Sequence, residues 1–269
     1  MDAVISCEER EEEGNGSGEM NKTGISWTDL TWNPVSGCSK VSPGCQNCYA
    51  EAWSHRWGRS FDVTLHPEKL KEVKRIPSGS KVFVNSMSDL FHEKVPFEFT
   101  EQVMDAIESR PDVIFQILTK RPERLQSFIH YHGYTVRGGD HQYDYFLPPN
   151  VWIGVSVEMR HYLQRINFIY YLKYDSQVLR NTTFVSFEPL LGDIGTVNLS
   201  GIDWIIIGGE SGPHHRPMQI EWARNIVRQA KDQGVAVWMK QLGGLRPGGD
   251  LEDFPEDLRI REFPAEVLE

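Results

Sequence analysis

Gly37-Cys-Ser-Lys-Val-Ser-Pro-Gly-Cys-Gln-Asn-Cys-Tyr49 places three of the chain's four cysteines, Cys38, Cys45 and Cys48, in one short loop. Gly37, Pro43 and Gly44 permit tight backbone bends, so the three thiols can face one point, which a helix or strand at this spacing does not achieve. The pattern is that of a soft-metal site. Structural zinc takes four protein ligands, and an iron–sulfur cluster held by this loop alone keeps one position for something else. Taken by itself the loop leaves three readings: an iron–sulfur cluster, a zinc ion completed by His55 or Cys7, or reduced thiols without metal. The flanking chain bears on that choice.

Immediately upstream, Ile25-Ser-Trp-Thr-Asp-Leu-Thr-Trp32 alternates apolar and polar residues and is ended by Asn33-Pro34. It reads as a strand running straight into the cysteine loop. Immediately downstream, Tyr49 to Trp57 reads as a helix. Residues 60–80 are irregular, with a basic run of Lys69, Lys71, Lys74 and Arg75 that serves either as a solvated face or as a phosphate contact.

Further along, apolar runs begin near residues 82, 113, 151, 183, 203 and 235, each followed by polar residues and most by a helical pattern. Helices are expected over about 98–109, from Pro122 onward, to about 173, and over 219–233, where Ile220, Ala223, Ile226, Val227 and Ala230 recur at helical spacing. Strand–helix units of this length build a parallel sheet, and near-continuous apolar strands are those covered on both faces. The expected class is α/β, a partial or complete parallel (β/α) barrel of six to seven strands, because polar tips after strand upon strand line the active face of a barrel. The short interval between 183 and 203 leaves little room for a helix. His130 to Pro149, rich in Gly, Tyr, Asp and His, reads as an insertion. The expected organisation is an acidic tail over 1–23, a barrel domain over 24–245 and an acidic extension over 246–269.

The net charge of −10 belongs to the ends. Residues 1–23 hold seven acids and two bases, and 250–269 hold eight acids and two bases, which leaves a core of net charge +1. A near-neutral core neither requires nor excludes a polyanionic partner. No run of 18 apolar residues is present to cross a bilayer, the acidic N-terminus is no signal peptide, and cysteines gathered in one loop suit a reducing cytoplasm rather than a disulfide framework. The expectation is a cytoplasmic protein with no membrane partner.

The strand tips supply the remaining candidates: Asn85, Ser86, Ser88 and Asp89, then Lys120 and Arg121, then Ser156 and Glu158, then Glu188, and finally Gly208, Gly209 and Glu210. Singly, each has an ordinary account, helix capping for the first four and a plain turn for the glycines. Glu158 and Glu188 follow buried strands and need a partner or a solvated cleft, and Lys120 and Arg121 either pair with those glutamates or grip an anion. As a set on one rim beside three thiols, the tips outline a site.

A three-cysteine loop directly after the first strand of such a barrel resembles the radical S-adenosylmethionine superfamily. The order of Trp27-Thr-Asp-Leu-Thr-Trp-Asn-Pro34, the Gly37 to Tyr49 loop, Val84-Asn-Ser-Met-Ser-Asp-Leu-Phe91, Leu118-Thr-Lys-Arg-Pro-Glu-Arg124, Gly154-Val-Ser-Val-Glu158, Phe187-Glu-Pro-Leu-Leu191 and Gly208-Gly-Glu-Ser-Gly212 is similar to a phage-associated three-cysteine, radical-SAM-like family. The superfamily's usual cysteine spacing is three and two residues; here it is six and two. The resemblance implies a 4Fe-4S cluster on Cys38, Cys45 and Cys48, with S-adenosylmethionine on the remaining iron and held by the tips Asn85, Ser86, Ser88, Asp89, Ser156, Glu158, Glu188, Gly208, Gly209 and Glu210. It further implies a reductant or electron-donor protein as partner. For substrate it implies nucleic-acid bases, such as an amino-acid adduct on thymine isomerised during phage DNA hypermodification, in the host's cytoplasm. The competing expectation is a zinc-stabilised, non-enzymatic nucleic-acid or protein-binding module.

Overall fold

The apolar runs are strands, and they pair in chain order. The computed structural model describes residues 23–135, 147–175, 179–245 and 248–265, so residues 1–22 with Cys7, and much of the expected insertion, lie outside the described residues. The strands are β1 (Leu30–Trp32), a short antiparallel pair β2 (Val35–Ser36) and β3 (Thr64–Leu65), then β4 (Lys81–Val84), β5 (Ile114–Thr119), β6 (Val151–Ser156), β7 (Thr183–Phe187), β8 (Trp204–Gly208) and β9 (Ala236–Gln241). All but β2 and β3 form one seven-stranded sheet in the order β1-β4-β5-β6-β7-β8-β9, every pairing parallel. The helices are α1 (Tyr49–Arg56), α2 (Phe97–Glu108), α3 (Pro122–Thr135), α4 (Gln164–Tyr170) and α5 (Ile220–Asp232). None of the described helices is long and apolar enough to cross a membrane.

Period-2 alternation sorts each strand's side chains between two cores. One face carries Val82, Val84, Phe115, Ile117, Ile153, Val155, Val185, Ile205 and Val237 to the helices, where α5 contributes Ala223, Ile226, Val227 and Ala230. The other face carries Phe83, Trp152, Phe184, Trp204, Ile206 and Trp238 inward, around Trp27. The Trp27 ring lies 4.7 Å from that of Phe83 on β4 and 6.1 Å from that of Trp204 on β8. Strands four places apart in the sheet meet one indole only if the sheet curls, so the architecture is an open parallel barrel. Between β7 and β8 the chain forms no regular helix, as the short interval implied.

One segment differs from the sequence reading. Only Leu30–Trp32 of the expected first strand pairs, because Trp27 turns into the barrel and Trp238 of β9 donates its indole N–H to Ser26 at 3.1 Å, so this stretch plugs the end where the strands begin. The acidic extension after residue 245 packs on the barrel where it is described. Phe254 and Leu258 are buried, the Glu262 carbonyl accepts the Trp204 indole N–H at 2.8 Å, and the Phe263 ring lies 4.7 Å from Trp238.

Gly154 shows how tightly the inner core is filled: a Cβ there would sit 2.6 Å from the Phe184 ring. Gly154→Ala is expected to destabilise the fold by about 1–3 kcal/mol through overpacking, outweighing the ~0.5–1 kcal/mol that alanine gains over glycine in a strand. A urea midpoint equal to that of the wild type would show that the ring has room to move.

Candidate metal centre and the cavity beneath it

The cysteine loop lies over the ends of the parallel strands, where β4 to β9 present their polar tips. Gly37 begins it with φ of 78°, and a Cβ there would fall 2.1 Å from the Asp62 carbonyl oxygen, so both the backbone angle and the close approach require glycine. Backbone bonds from Gly37 N–H to Met87 O (3.2 Å) and from Cys38 N–H to Phe61 O (3.2 Å) fix the entry. Pro43–Cys45 forms one 3-10 turn, and Cys48 is the residue preceding α1.

All three thiols are free and partly exposed, and all three border one cavity of about 540 Å³. Burial, with a smaller contribution from the Asp89 charge, pushes the Cys38 thiol up to about 11 against the opposing pull of Arg121. Burial likewise raises Cys48. These groups keep their protons until a cation displaces them, as metal ligands do.

Three charged clamps hold the loop. In the first, Arg121 donates through Nη2 to the Ser39 carbonyl at 2.9 Å and through Nη1 to Cys38 Sγ at 3.5 Å, while its Nη1 also meets Asp89 Oδ2 at 3.1 Å. Asp89 is itself saturated, accepting from Phe91 N–H, Thr119 Oγ1 and Lys120 N–H besides Arg121. In the second, Ser42 Oγ donates to the fully buried Glu158 carboxylate, which also takes Arg165 Nη1 at 2.9 Å and has Lys120 Nζ at 3.9 Å. Gly44 belongs to this clamp, since a Cβ there would lie 2.4 Å from Glu158 Cγ. In the third, Glu210 accepts Asn47 Nδ2 at 2.9 Å and Arg216 Nε at 2.9 Å, and Arg216 Nη2 reaches back to the Pro43 carbonyl at 2.9 Å. Those donors hold the Glu210 carboxyl below its usual range despite burial.

Of the tip residues, Asn85, Ser86, Ser88, Asp89, Ser156, Glu188, Gly209 and Glu210 border the cavity, together with Lys120, Arg121, Lys240 and Gln241. Glu158 and Gly208 do not. Glu158 points into the clamp, and Gly208 gives room to Glu188, whose Cδ would lie 3.3 Å from a Cβ there. Gly209 is needed because a Cβ would meet the Leu242 carbonyl oxygen at 2.4 Å. Glu188 receives Lys240 Nζ at 2.6 Å, the pair facing the cavity. Asn85, with φ of 60°, spends its Oδ1 on the Val35 N–H at 3.1 Å, while its buried Nδ2, like the buried indole N–H of Trp27, has no protein partner. Both residues border the cavity, but these two donor atoms are themselves buried from it. None of Lys69, Lys71, Lys74 and Arg75 does so.

The sequence reading missed Asn47, Ser42, Arg165 and Arg216, which carried no pattern; of the two roles it left open for Arg121, pairing with the tip glutamates or gripping an anion, the structure shows Arg121 on the Asp89 carboxylate and beside Cys38. Among the described residues, no group of three or more His, Cys, Asp or Glu side chains is gathered to hold a metal ion. Thiolates at about 2.3 Å from one zinc stand within roughly 4 Å of one another. A four-iron cluster is a larger body that takes its thiolates at separate corners. Three free thiols that border one cavity match the three-thiolate donor set such a cluster requires.

Fold and site together define an open parallel (β/α) barrel with a three-cysteine loop clamped across the ends of its strands. The chain belongs to the family described as "Protein of unknown function (DUF5131)", whose model matches residues 22–256. No curated protein matches the chain. Among solved structures it is similar to spore photoproduct lyase complexed with dinucleoside spore photoproduct, at 10% identity and a TM-score of 0.47 over 80% of this chain and 64% of that one. It is also similar to a cysteine-to-serine mutant of that lyase, at 11% identity and a TM-score of 0.48 over 79% of this chain and 64% of that one. A further mutant, with bound AdoMet and dinucleoside spore photoproduct, aligns at 10% identity and a TM-score of 0.47 over 80% and 64%. The chain thus spans somewhat less than two thirds of the length of these structures.

Proposed function

We propose that the chain is a radical S-adenosylmethionine enzyme in which Cys38, Cys45 and Cys48 hold a 4Fe-4S cluster, S-adenosylmethionine occupies the adjoining cavity, and the substrate is a nucleic-acid base. The specific reaction proposed is isomerisation of an amino-acid adduct on thymine in phage DNA, with a reductant or electron-donor protein as partner. The observation that supports this reading is the clamped loop itself: three free thiols bordering a cavity of about 540 Å³ at the polar end of a parallel barrel. When bound, the cluster and S-adenosylmethionine supply a one-electron bond cleavage that yields a radical able to take hydrogen from an unactivated carbon.

The chain's own residues bind, orient and exclude water. Arg121, Glu158 and Glu210 fix the loop from three sides. Trp27, Phe83 and Leu118 give the cavity an apolar floor that keeps solvent away from reactive species. The Glu188–Lys240 pair, which borders the cavity, offers opposite charges to an amino-acid group.

Iron and acid-labile sulfide analysis of anaerobically purified protein tests the reading, followed by assay for 5′-deoxyadenosine with S-adenosylmethionine and dithionite. About four irons and four sulfides per chain are expected. One zinc with no sulfide would overturn it and favour the non-enzymatic module. Incubation with adduct-bearing DNA, read by nucleoside mass spectrometry, tests the substrate.

A further inference from the structure

The Arg121 guanidinium is buried at the Cys38 end of the loop, and each of its five N–H groups has an acceptor. Nε donates to Glu93 Oε2 at 3.1 Å. Nη2 donates to the Ser39 carbonyl at 2.9 Å and to Ser39 Oγ at 3.0 Å. Nη1 donates to Asp89 Oδ2 at 3.1 Å and to Cys38 Sγ at 3.5 Å. A planar fork with every prong engaged has no freedom to turn. Its neighbour is fixed in the same way: Lys94 N–H donates to His92 Nδ1 at 3.0 Å, so the buried imidazole carries its proton on Nε2, which donates to Ser39 Oγ at 2.8 Å. Holding the loop requires only the bonds to Ser39. The bond to sulfur places a cation and an N–H on one thiol. Cys48 instead receives the backbone N–H groups of Ala50 and Glu51 at the start of α1, and Cys45 lies 3.7 Å from Ser42 Oγ, whose proton goes to Glu158. Cys38 has the charged donor, and the pull of Arg121 favours its thiolate.

We propose that Arg121 is a positioning residue that raises the reduction potential of a cluster held by this loop, through its N–H bond and positive charge at the Cys38 sulfur. The proposal rests on the cluster reading above and extends it from the side chains that hold the iron to the one that sets its readiness to take an electron. An added electron places negative charge partly on the thiolate sulfurs, so a donor aimed at one of them favours the reduced form. Hydrogen bonds to the sulfurs and the local net charge are what tune such potentials. Asp89 and Glu93 oppose the field of Arg121, but an ionised carboxylate donates nothing to sulfur, so the bond itself is not cancelled.

The test is a redox titration of the anaerobically purified, full-length protein, followed by electron paramagnetic resonance. Arg121→Leu is expected to shift the cluster about tenfold or more against reduction, which is about 59 mV for one electron. Arg121→Lys keeps the charge but not the fork and is expected to fall between. Arg121→Leu with Asp89→Asn removes one charge of each sign and is expected to stay below the wild type, because the bond to sulfur is still missing. Arg216 bonds to Glu210, Gln46 and the Pro43 carbonyl rather than to a thiol, so Arg216→Gln loosens the loop and is expected to keep the wild-type potential. A role confined to holding the loop predicts the same shift for both arginines. Where Arg121→Leu does not load iron, pulsed resonance of the reduced wild type carrying heavy-nitrogen arginine decides: a weak nitrogen coupling is expected, and Arg216→Gln should retain it. The proposal is overturned if Arg121→Leu or the double variant matches the wild type, if Arg216→Gln shifts as far as Arg121→Leu, or if no nitrogen coupling is seen. A wild type with iron and sulfide whose potential Arg121→Leu does not move removes this proposal alone; a wild type with neither removes the cluster reading as well.

Discussion

Alanine at Cys38, Cys45 or Cys48 is expected to strip the bound iron and lower S-adenosylmethionine cleavage more than about 100-fold, since changes merely outside the ligand shell of a metal already cost 10–100-fold. The polypeptide should stay folded. The three cysteines are only partly buried and belong to neither hydrophobic core, and such substitutions usually change stability within about 0.5 kcal/mol. Circular dichroism and urea unfolding of the metal-free proteins check that claim separately from metal content. His55→Ala and Cys7→Ala serve as controls, because those two residues are the ones a zinc site would recruit to complete its four ligands. Loss of metal in either control, or undiminished 5′-deoxyadenosine formation in any of the three loop variants, would remove the basis of the proposed chemistry.

The fold was legible where both faces of a strand are buried. Val151–Ser156 is buried at every position, and its continuous apolar run has no other stable reading in so short a span. Helix starts were legible where proline sets the first turn, as at Pro122, and α5 where the apolar period is strict. Ile25 to Trp32 misled because alternation marks burial of every second residue without saying what buries it. Trp27 is covered by the barrel's interior, not by a neighbouring strand. After residue 245, acidic composition hid two apolar anchors, Phe254 and Leu258. That the three cysteines share one loop was legible from spacing, and that most of the tips gather was legible from them as a set, since they border one cavity. Which tips turn to the cavity and which to the loop was not legible, because the answer depends on partners such as Ser42 for Glu158, 116 residues away.

The second large effect concerns that pair. Glu158→Gln is expected to destabilise the protein by about 3–5 kcal/mol, the usual result of leaving a buried charge without its partner. The stranded group is Arg165, itself buried, which keeps the Ser156 carbonyl at 2.7 Å and the Tyr162 ring at 4.4 Å but loses the carboxylate. Glutamine matches the shape of glutamate, so packing is retained and the charge alone is removed. Replacing both partners with apolar residues, as in Glu158→Leu with Arg165→Met, is expected to recover most of the loss, because neither charge is then desolvated. Urea midpoints of the two single variants and the double variant complete the cycle. A midpoint for Glu158→Gln within error of the wild type would mean the carboxylate carries no weight in the fold. A second readout separates clamp from core: Ser42 loses its carboxylate acceptor, so iron bound per folded chain should fall in Glu158→Gln and remain low in the double variant even where stability returns. If iron loading instead tracks stability across the series, Glu158 serves the barrel alone and the loop is held by its other two clamps.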